Sequence, residues 1–167
     1  FQKAAQENTR TFFIESLGNP KLDILDIEAI SKGAKDYKVP LIVDNTVATP
    51  CLLNPIVHGA NIVIQSLTKY INGNGTALGG AIIDAGTFDW GSGKFPEFTE
   101  PSAGYHGVSD KEVIGAASLS AKVRIEGLRD YGAALSPWNA VKSSQGLETL
   151  EVRIQKNSEN ALERAQW

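Results

Sequence analysis

One stretch constrains this chain more than any other: Ile62-Val63-Ile64-Gln65-Ser66-Leu67-Thr68-Lys69-Tyr70, followed by a glycine-rich run from Asn72 to Gly80. An apolar, β-branched run that stops at two hydroxyls and a lysine reads as a buried strand meeting its loop. Lys69 then stands at the carboxyl end of a strand, where open α/β sheets keep their ligand sites. Upstream, Pro40-Leu41-Ile42-Val43 reads as a second strand and ends in Asp44. Two neighbouring strands would deliver a carboxylate and an amine to the same rim.

The remaining elements fit a sheet covered by helices. Thr11 to Ser16 reads as a buried strand, and Leu17-Gly18-Asn19-Pro20 turns the chain. Asp26 reads as the N-cap of an amphipathic helix over Ile27 to Lys38, with Ile27, Ile30, Ala34 and Tyr37 on one face. Thr46 to Pro50 reads as loop, and Pro55 to His58 as a short helix closed by Gly59. The β-α-β-α-β order predicts a parallel sheet. Leu78 to Ile83 would be a fourth strand of undetermined direction. Gly86 to Gly107 has no periodicity and reads as a long functional or interface loop, its Trp and Phe residues serving as core or interface. Helical spacing returns from Lys111 to about Leu128. It breaks at Asp130 to Pro137, and resumes behind a Ser136 cap through Leu150, Ile154 and Leu162.

Bulk properties exclude several classes. At 167 residues the chain is one domain with a real core. Hydrophobic residues make up 42% and charged residues 21%, a soluble globular composition. The net charge of -3, without a basic cluster, argues against a nucleic-acid partner. No apolar run approaches a membrane span. The single cysteine, Cys51, excludes an internal disulfide and points to a reducing compartment, so a cytoplasmic location is expected. His58 and His106 have no partners at metal spacing, so no metal is expected. The chain begins at Phe1 and contains no methionine. A fragment or processed chain is expected.

A strand-end lysine acts as a nucleophile when it is partly neutral and held near an electrophile, which Schiff-base formation with pyridoxal phosphate provides. The ring nitrogen of that cofactor needs a carboxylate, and Asp44 is placed for it. Its phosphate needs hydroxyl and N–H donors, and Ser66 and Thr68 flank the lysine. Its 3-hydroxyl needs a polar partner, which Asn19 could supply. Other readings compete. A strand-terminal Asp is often only a turn cap. Ser66-x-x-Lys69 matches the S-x-x-K of penicillin-recognising enzymes, with Ser66 as nucleophile, but their K-T-G and S-D-N companions are missing. The glycines from Gly73 to Gly79 are mis-spaced for a dinucleotide fingerprint, and no G-K-[ST] of a phosphate loop occurs. Asn74-Gly75-Thr76 is formally a glycosylation acceptor in an unsuitable loop.

Three motifs in order, Glu15-Ser16-Leu17-Gly18-Asn19-Pro20, Val43-Asp44-Asn45-Thr46-Val47-Ala48-Thr49-Pro50 and Ser66-Leu67-Thr68-Lys69-Tyr70, resemble the Cys/Met-metabolism family of pyridoxal-phosphate enzymes. The stretches Gly93 to Pro101, Tyr105-His106-Gly107, Gly127-Leu128-Arg129-Asp130, Ala134 to Asn139 and Gln145 to Leu150 look most like its O-acetylhomoserine sulfhydrylase branch. The resemblance implies a three-layer α/β/α, mostly parallel sheet, here a partial large domain of the pyridoxal-phosphate-dependent transferase fold, with 1–140 the central part of that cofactor-binding domain and 141–167 a helix leading toward a C-terminal domain. It implies Lys69 as the Schiff-base lysine and proton shuttle, Asp44 on the ring nitrogen, Ser66 and Thr68 on the phosphate, and Asn19 on the 3-hydroxyl. The implied reaction is γ-replacement of acetate in O-acetyl-L-homoserine by sulfide or methanethiol, giving homocysteine or methionine. It also implies a homo-oligomer, dimer or tetramer, with shared sites and a small amino-acid substrate. Methionine γ-lyase and cystathionine γ-synthase or lyase chemistry are alternatives on the same scaffold, and a catalytically silent partner subunit is an alternative of another class. Val47 stands where the family commonly has an aromatic residue, and Asn74 where it commonly has a histidine. Family subunits are over twice this length, so the 167 residues alone are expected to be inactive.

Overall fold

The computed structural model describes residues 1–167, the Gln2 side chain excepted. Four strands form one sheet in the order β1-β2-β3-β4: β1 Phe12–Glu15, β2 Leu41–Asp44, β3 Ile62–Ser66 and β4 Gly80–Asp84. The first three are parallel, with Glu15 beside Asp44 and Asp44 beside Ile64. β4 runs antiparallel to β3, with Ile62 opposite Asp84 and Ser66 opposite Gly80. The sheet is therefore mixed and mostly parallel, as the sequence implies. The chain returns to the sheet through residues 67–79, and β4 enters antiparallel.

Each face of the sheet has its own core. Phe12, Ile14, Leu41, Val43 and Val63 pack with Ile27 and Ala34 of helix α1, Ile27–Asp36. Asp26 caps α1 by accepting from the Ala29 N–H at 2.9 Å. On the other face Ile62 packs with Trp90, Phe95 and Phe98, and Trp90 stacks on Phe98 at 4.2 Å. Aromatic rings held edge-to-face or offset add contact energy beyond area burial. The supposed long loop 86–107 is thus a second core-builder. It contains helix α3, Pro96–Thr99, and a 3₁₀ turn, Ala103–Tyr105.

Other expectations are corrected. β1 is an edge strand with alternating burial, so Phe13 is half exposed while Phe12 and Ile14 are buried. The stretch expected as loop at 46–50 turns into helix α2, Thr49–Leu52. The single helix expected from Lys111 is broken into α4, Asp110–Ile114, a 3₁₀ turn at Gly115–Ala117, α5, Ser118–Lys122, and a π-helical stretch, Val123–Asp130. The terminal helical pattern is divided at Thr149, whose φ/ψ of -112/3 leaves the helical region, into α6, Pro137–Glu148, and α7, Leu150–Gln166. Ser136 caps α6 as expected, its hydroxyl accepting from Asn139 N–H at 3.2 Å. Ile71, Leu150 and Ile154 form a third small core that seats both helices on the turn after β3.

Candidate functional site

The carboxyl ends of β1, β2 and β3 open into a cavity of about 280 Å³ lined by Glu15, Leu17, Asn19, Asp44, Thr46, Val47, Ser66, Lys69 and Tyr70. Side chains alternate along a strand, so residues two apart share a face. Glu15, Asp44 and Ile64 are in register across three strands, and Ser66 follows Ile64 on the same side. Four of the five residues singled out from the sequence, Asn19, Asp44, Ser66 and Lys69, are brought together here.

Thr68 is not among the lining residues. Its hydroxyl donates to Gly79 O at 3.2 Å and accepts from Gly79 N–H at 3.0 Å. It ties the lysine turn to the start of β4. The turn itself, Leu67–Ile71, is π-helical, and Lys69 departs from helical backbone at φ/ψ -90/-120. Single π turns recur at functional sites because they redirect a side chain out of the regular spiral.

The rim is cross-braced. Asp44 Oδ1 accepts from Thr46 N–H at 2.9 Å, and Thr46 Oγ1 accepts from Ser66 N–H at 2.8 Å. Thr46 thus links the ends of β2 and β3. Glu15 Oε2 accepts from the Asn19 N–H at 2.7 Å and orders the turn carrying Asn19. Behind the rim Asn45 is fully buried. Its Oδ1 accepts from Ser16 Oγ at 2.8 Å, and its Nδ2 donates to Thr49 O at 3.0 Å and Leu53 O at 2.8 Å. It holds α2 on the sheet and sustains Thr49 at φ 60, a conformation unfavourable for a β-branched residue.

The sequence reading missed Glu15, Thr46 and Tyr70 as lining residues. The signal was present, since each lies inside one of the three quoted motifs. Chemically, the cavity offers one amine, two carboxylates, hydroxyls and an amide. That set suits an electrophile next to a ring cation and an anion.

Another cavity, of about 250 Å³, lies among Tyr105, Asp110, Lys122, Glu126, Arg129 and Asp130. Its charges are mutually paired: Lys122 with Glu126 at 2.5 Å and Asp110 at 3.5 Å, Arg129 with Asp130 at 2.8 Å. That is the pattern of a structural ion-pair network. Among the described residues no group of three or more His, Cys, Asp or Glu is arranged to hold a metal ion. No helix among them is long and apolar enough to cross a membrane.

Comparison with known proteins identifies the family. The family model described as Cys/Met metabolism PLP-dependent enzyme matches residues 1–167. The chain is 51% identical to the O-acetyl-L-homoserine sulfhydrylase of Leptospira meyeri, over 100% of this chain and 40% of that protein. It is 45% identical to the Corynebacterium glutamicum protein of the same name, again over 100% of this chain and 39% of the relative. The chain therefore spans about 40% of the length of the curated relatives it matches. Among solved structures, one from Campylobacter jejuni, assigned as an O-acetylhomoserine (thiol)-lyase and carrying N'-pyridoxyl-lysine-5'-monophosphate, superposes with a TM-score of 0.92. It is 44% identical, over 97% of this chain and 40% of that one. By its match over the full 167 residues, the chain belongs to the Cys/Met metabolism family of PLP-dependent enzymes.

Proposed function

We propose that the cavity at the ends of β1, β2 and β3 binds pyridoxal 5'-phosphate, and that the intact protein replaces acetate in O-acetyl-L-homoserine by sulfide, giving L-homocysteine. The observation that carries this reading is that Lys69, on the turn after β3, and Asp44, at the end of the neighbouring β2, line the same cavity. The donor set fits the cofactor. Lys69 Nζ would hold its aldehyde carbon, Asp44 its ring nitrogen, Ser66 its phosphate and Asn19 its 3-hydroxyl. Thr68, expected on the phosphate, has its hydroxyl engaged with Gly79 in both directions, so of the two hydroxyls flanking the lysine it is Ser66 that lines the cavity.

Bound pyridoxal phosphate supplies an electron sink conjugated with the substrate Cα. The chain's residues supply the rest. The Asp44 carboxylate would keep the ring nitrogen protonated, which would favour loss of the substrate Cα proton. Lys69 Nζ would move protons at the substrate Cα and Cβ in turn, so that acetate could leave Cγ with its bonding pair. Once sulfide had added at Cγ, Nζ would return the protons. A base that reaches both carbons from one side suits this sequence, since acid–base catalysis demands hydrogen-bond reach first. We also propose a cytoplasmic homo-oligomer, dimer or tetramer, acting on a small amino-acid substrate. The single cysteine and the exposed apolar Phe13, Ile24, Leu78 and Ile82 support that reading.

Borohydride reduction of the intact protein loaded with pyridoxal phosphate tests the site. The expected result is one pyridoxyl adduct on the Lys69 peptide, lost in Lys69→Ala. O-acetyl-L-homoserine with sulfide should then release acetate and homocysteine. Adducts scattered over surface lysines overturn the site. Cleavage of methionine without homocysteine synthesis overturns the sulfhydrylase assignment in favour of a γ-lyase.

A further inference from the structure

Arg153 belongs to α7, far from Lys69 in sequence, yet its guanidinium is bonded to the turn that carries the lysine. Nη1 donates to Tyr70 O at 2.7 Å, and Nη2 donates to Ile71 O at 3.3 Å and Gly146 O at 2.8 Å. Nε donates to Thr149 Oγ1 at 3.1 Å, which fixes the plane of the fork. Arginine is suited to this because its donors are rigid and coplanar.

The carbonyls it binds are the ones the turn leaves open. Leu67 O accepts from Asn72 N–H at 2.9 Å and Lys69 O from Gly73 N–H at 2.8 Å. Tyr70 O and Ile71 O come at the end of the turn, where helical carbonyls need partners from outside. Lys69 and Tyr70 both line the cavity, so the fork grips the cavity wall from behind. The approach is close enough to dictate two glycines. A Cβ on Gly73, whose φ is 82, would stand 2.6 Å from Arg153 Cζ. One on Gly146 would collide with the carbonyl oxygens of Ile71 and Asn72.

We infer that Arg153 is a positioning residue for Lys69: by holding the Tyr70 and Ile71 carbonyls it fixes the π turn, and with it the direction in which the lysine amine enters the cavity. The inference rests on Lys69 being the amine that binds pyridoxal phosphate.

The test uses the intact protein with Arg153→Gln, Arg153→Lys and Thr149→Val. Two quantities are read. One is hydrogen exchange at the Asn72 and Gly73 amides without cofactor. The other is the pH midpoint of the visible absorption band of the pyridoxal-phosphate-loaded protein. Losing hydrogen bonds from a charged donor should speed exchange at Asn72 and Gly73 by about tenfold or more, with β2 and β3 amides unchanged. The pH midpoint should move with it. Arg153→Lys should recover part of both effects. Thr149→Val should move both in the same direction by less, and it carries the test if Arg153→Gln does not fold. An unmoved midpoint, or exchange that rises equally across the sheet, overturns the positioning role. If the unsubstituted protein shows no absorption band on loading, the cofactor reading falls and takes the link to Lys69 with it, whatever the exchange shows.

Discussion

Ser66 and Thr68 stand two residues apart and carry the same functional group, but their surroundings divide their roles. Ser66 faces the cavity, and its backbone N–H is bonded to Thr46 Oγ1. Thr68 closes a two-way hydrogen bond with Gly79. Removing the Ser66 hydroxyl should therefore weaken cofactor binding. Removing that of Thr68 should instead destabilise the return into β4. Ser66→Ala is expected to raise the dissociation constant for pyridoxal phosphate about ten- to a hundredfold while leaving the melting temperature of the cofactor-free protein unchanged, since a hydrogen bond to a charged group is worth about 1.5–3 kcal/mol. Thr68→Val is expected to do the reverse, costing about 1–3 kcal/mol by leaving the Gly79 N–H unpaired. Fluorescence titration and thermal unfolding separate the two. Equal loss of affinity in both variants would show that Thr68 turns to the phosphate on loading. Sequence alone could nominate both hydroxyls, because flanking a strand-end lysine is a one-dimensional property. It could not divide them, because Thr68's partner enters from a strand eleven residues later, whose direction the pattern left open.

At the scale of elements, the strands and α1 were legible because their side chains answer to local periodicity and local caps. Ile27, Ile30 and Ala34 repeat at helical spacing, and Asp26 caps α1. The failures share a cause: geometry was imposed by side-chain hydrogen bonds to backbone, which hydrophobic periodicity does not register. α2 exists where loop was expected because the Asn45 side chain gathers the carbonyls of Thr49 and Leu53. The α6–α7 division at Thr149 lies beside the clamp on the lysine turn, since Arg153 bonds to the Thr149 hydroxyl. Gly146 makes the competition between local and distant effects measurable. Inside α6, Gly→Ala should gain about 1 kcal/mol of helix propensity. The added methyl would meet the Ile71 and Asn72 carbonyls, and overpacking against fixed backbone costs about 1–3 kcal/mol or more. The collision should win. Gly146→Ala is expected to lower the melting temperature of the intact protein by several degrees, while a peptide spanning residues 136–149 becomes more helical by circular dichroism. A more stable protein would show that α6 can ride away from the turn at little expense.

Besides the small core under α7, the molecule is a sheet with one core on each face, and these two differ in how sequence discloses them. The α1 face is built from strand and helix residues whose pattern is visible directly. The opposite face is covered by Trp90, Phe95 and Phe98 from an aperiodic stretch, and nothing local announces that those rings meet Ile62. That second core rests on a charge network. The Lys122 side chain, 17% exposed, lies over the Phe98 ring at 5.4 Å and reaches Asp110, itself 8% exposed, and Glu126. Burial pulls the Lys122 pKa down, but the hydrogen bond and charge of Glu126, with those of Asp110, outweigh it, and the net shift is upward from 10.5. A group whose pKa is raised by folding binds its proton more tightly in the folded state. Its contribution is then fully present below the unfolded value and lost as pH rises through the folded one. Stability should therefore hold through neutral and mildly alkaline pH and fall above about 10.5 as Lys122 deprotonates. Lys122→Met should flatten that alkaline decline and lower stability at pH 8, because Asp110 is left buried without its cation. Denaturant unfolding of both proteins at pH 8 and pH 11 measures the difference. A gap between them that is the same at both values would show that the ammonium group contributes only through its packing on Phe98.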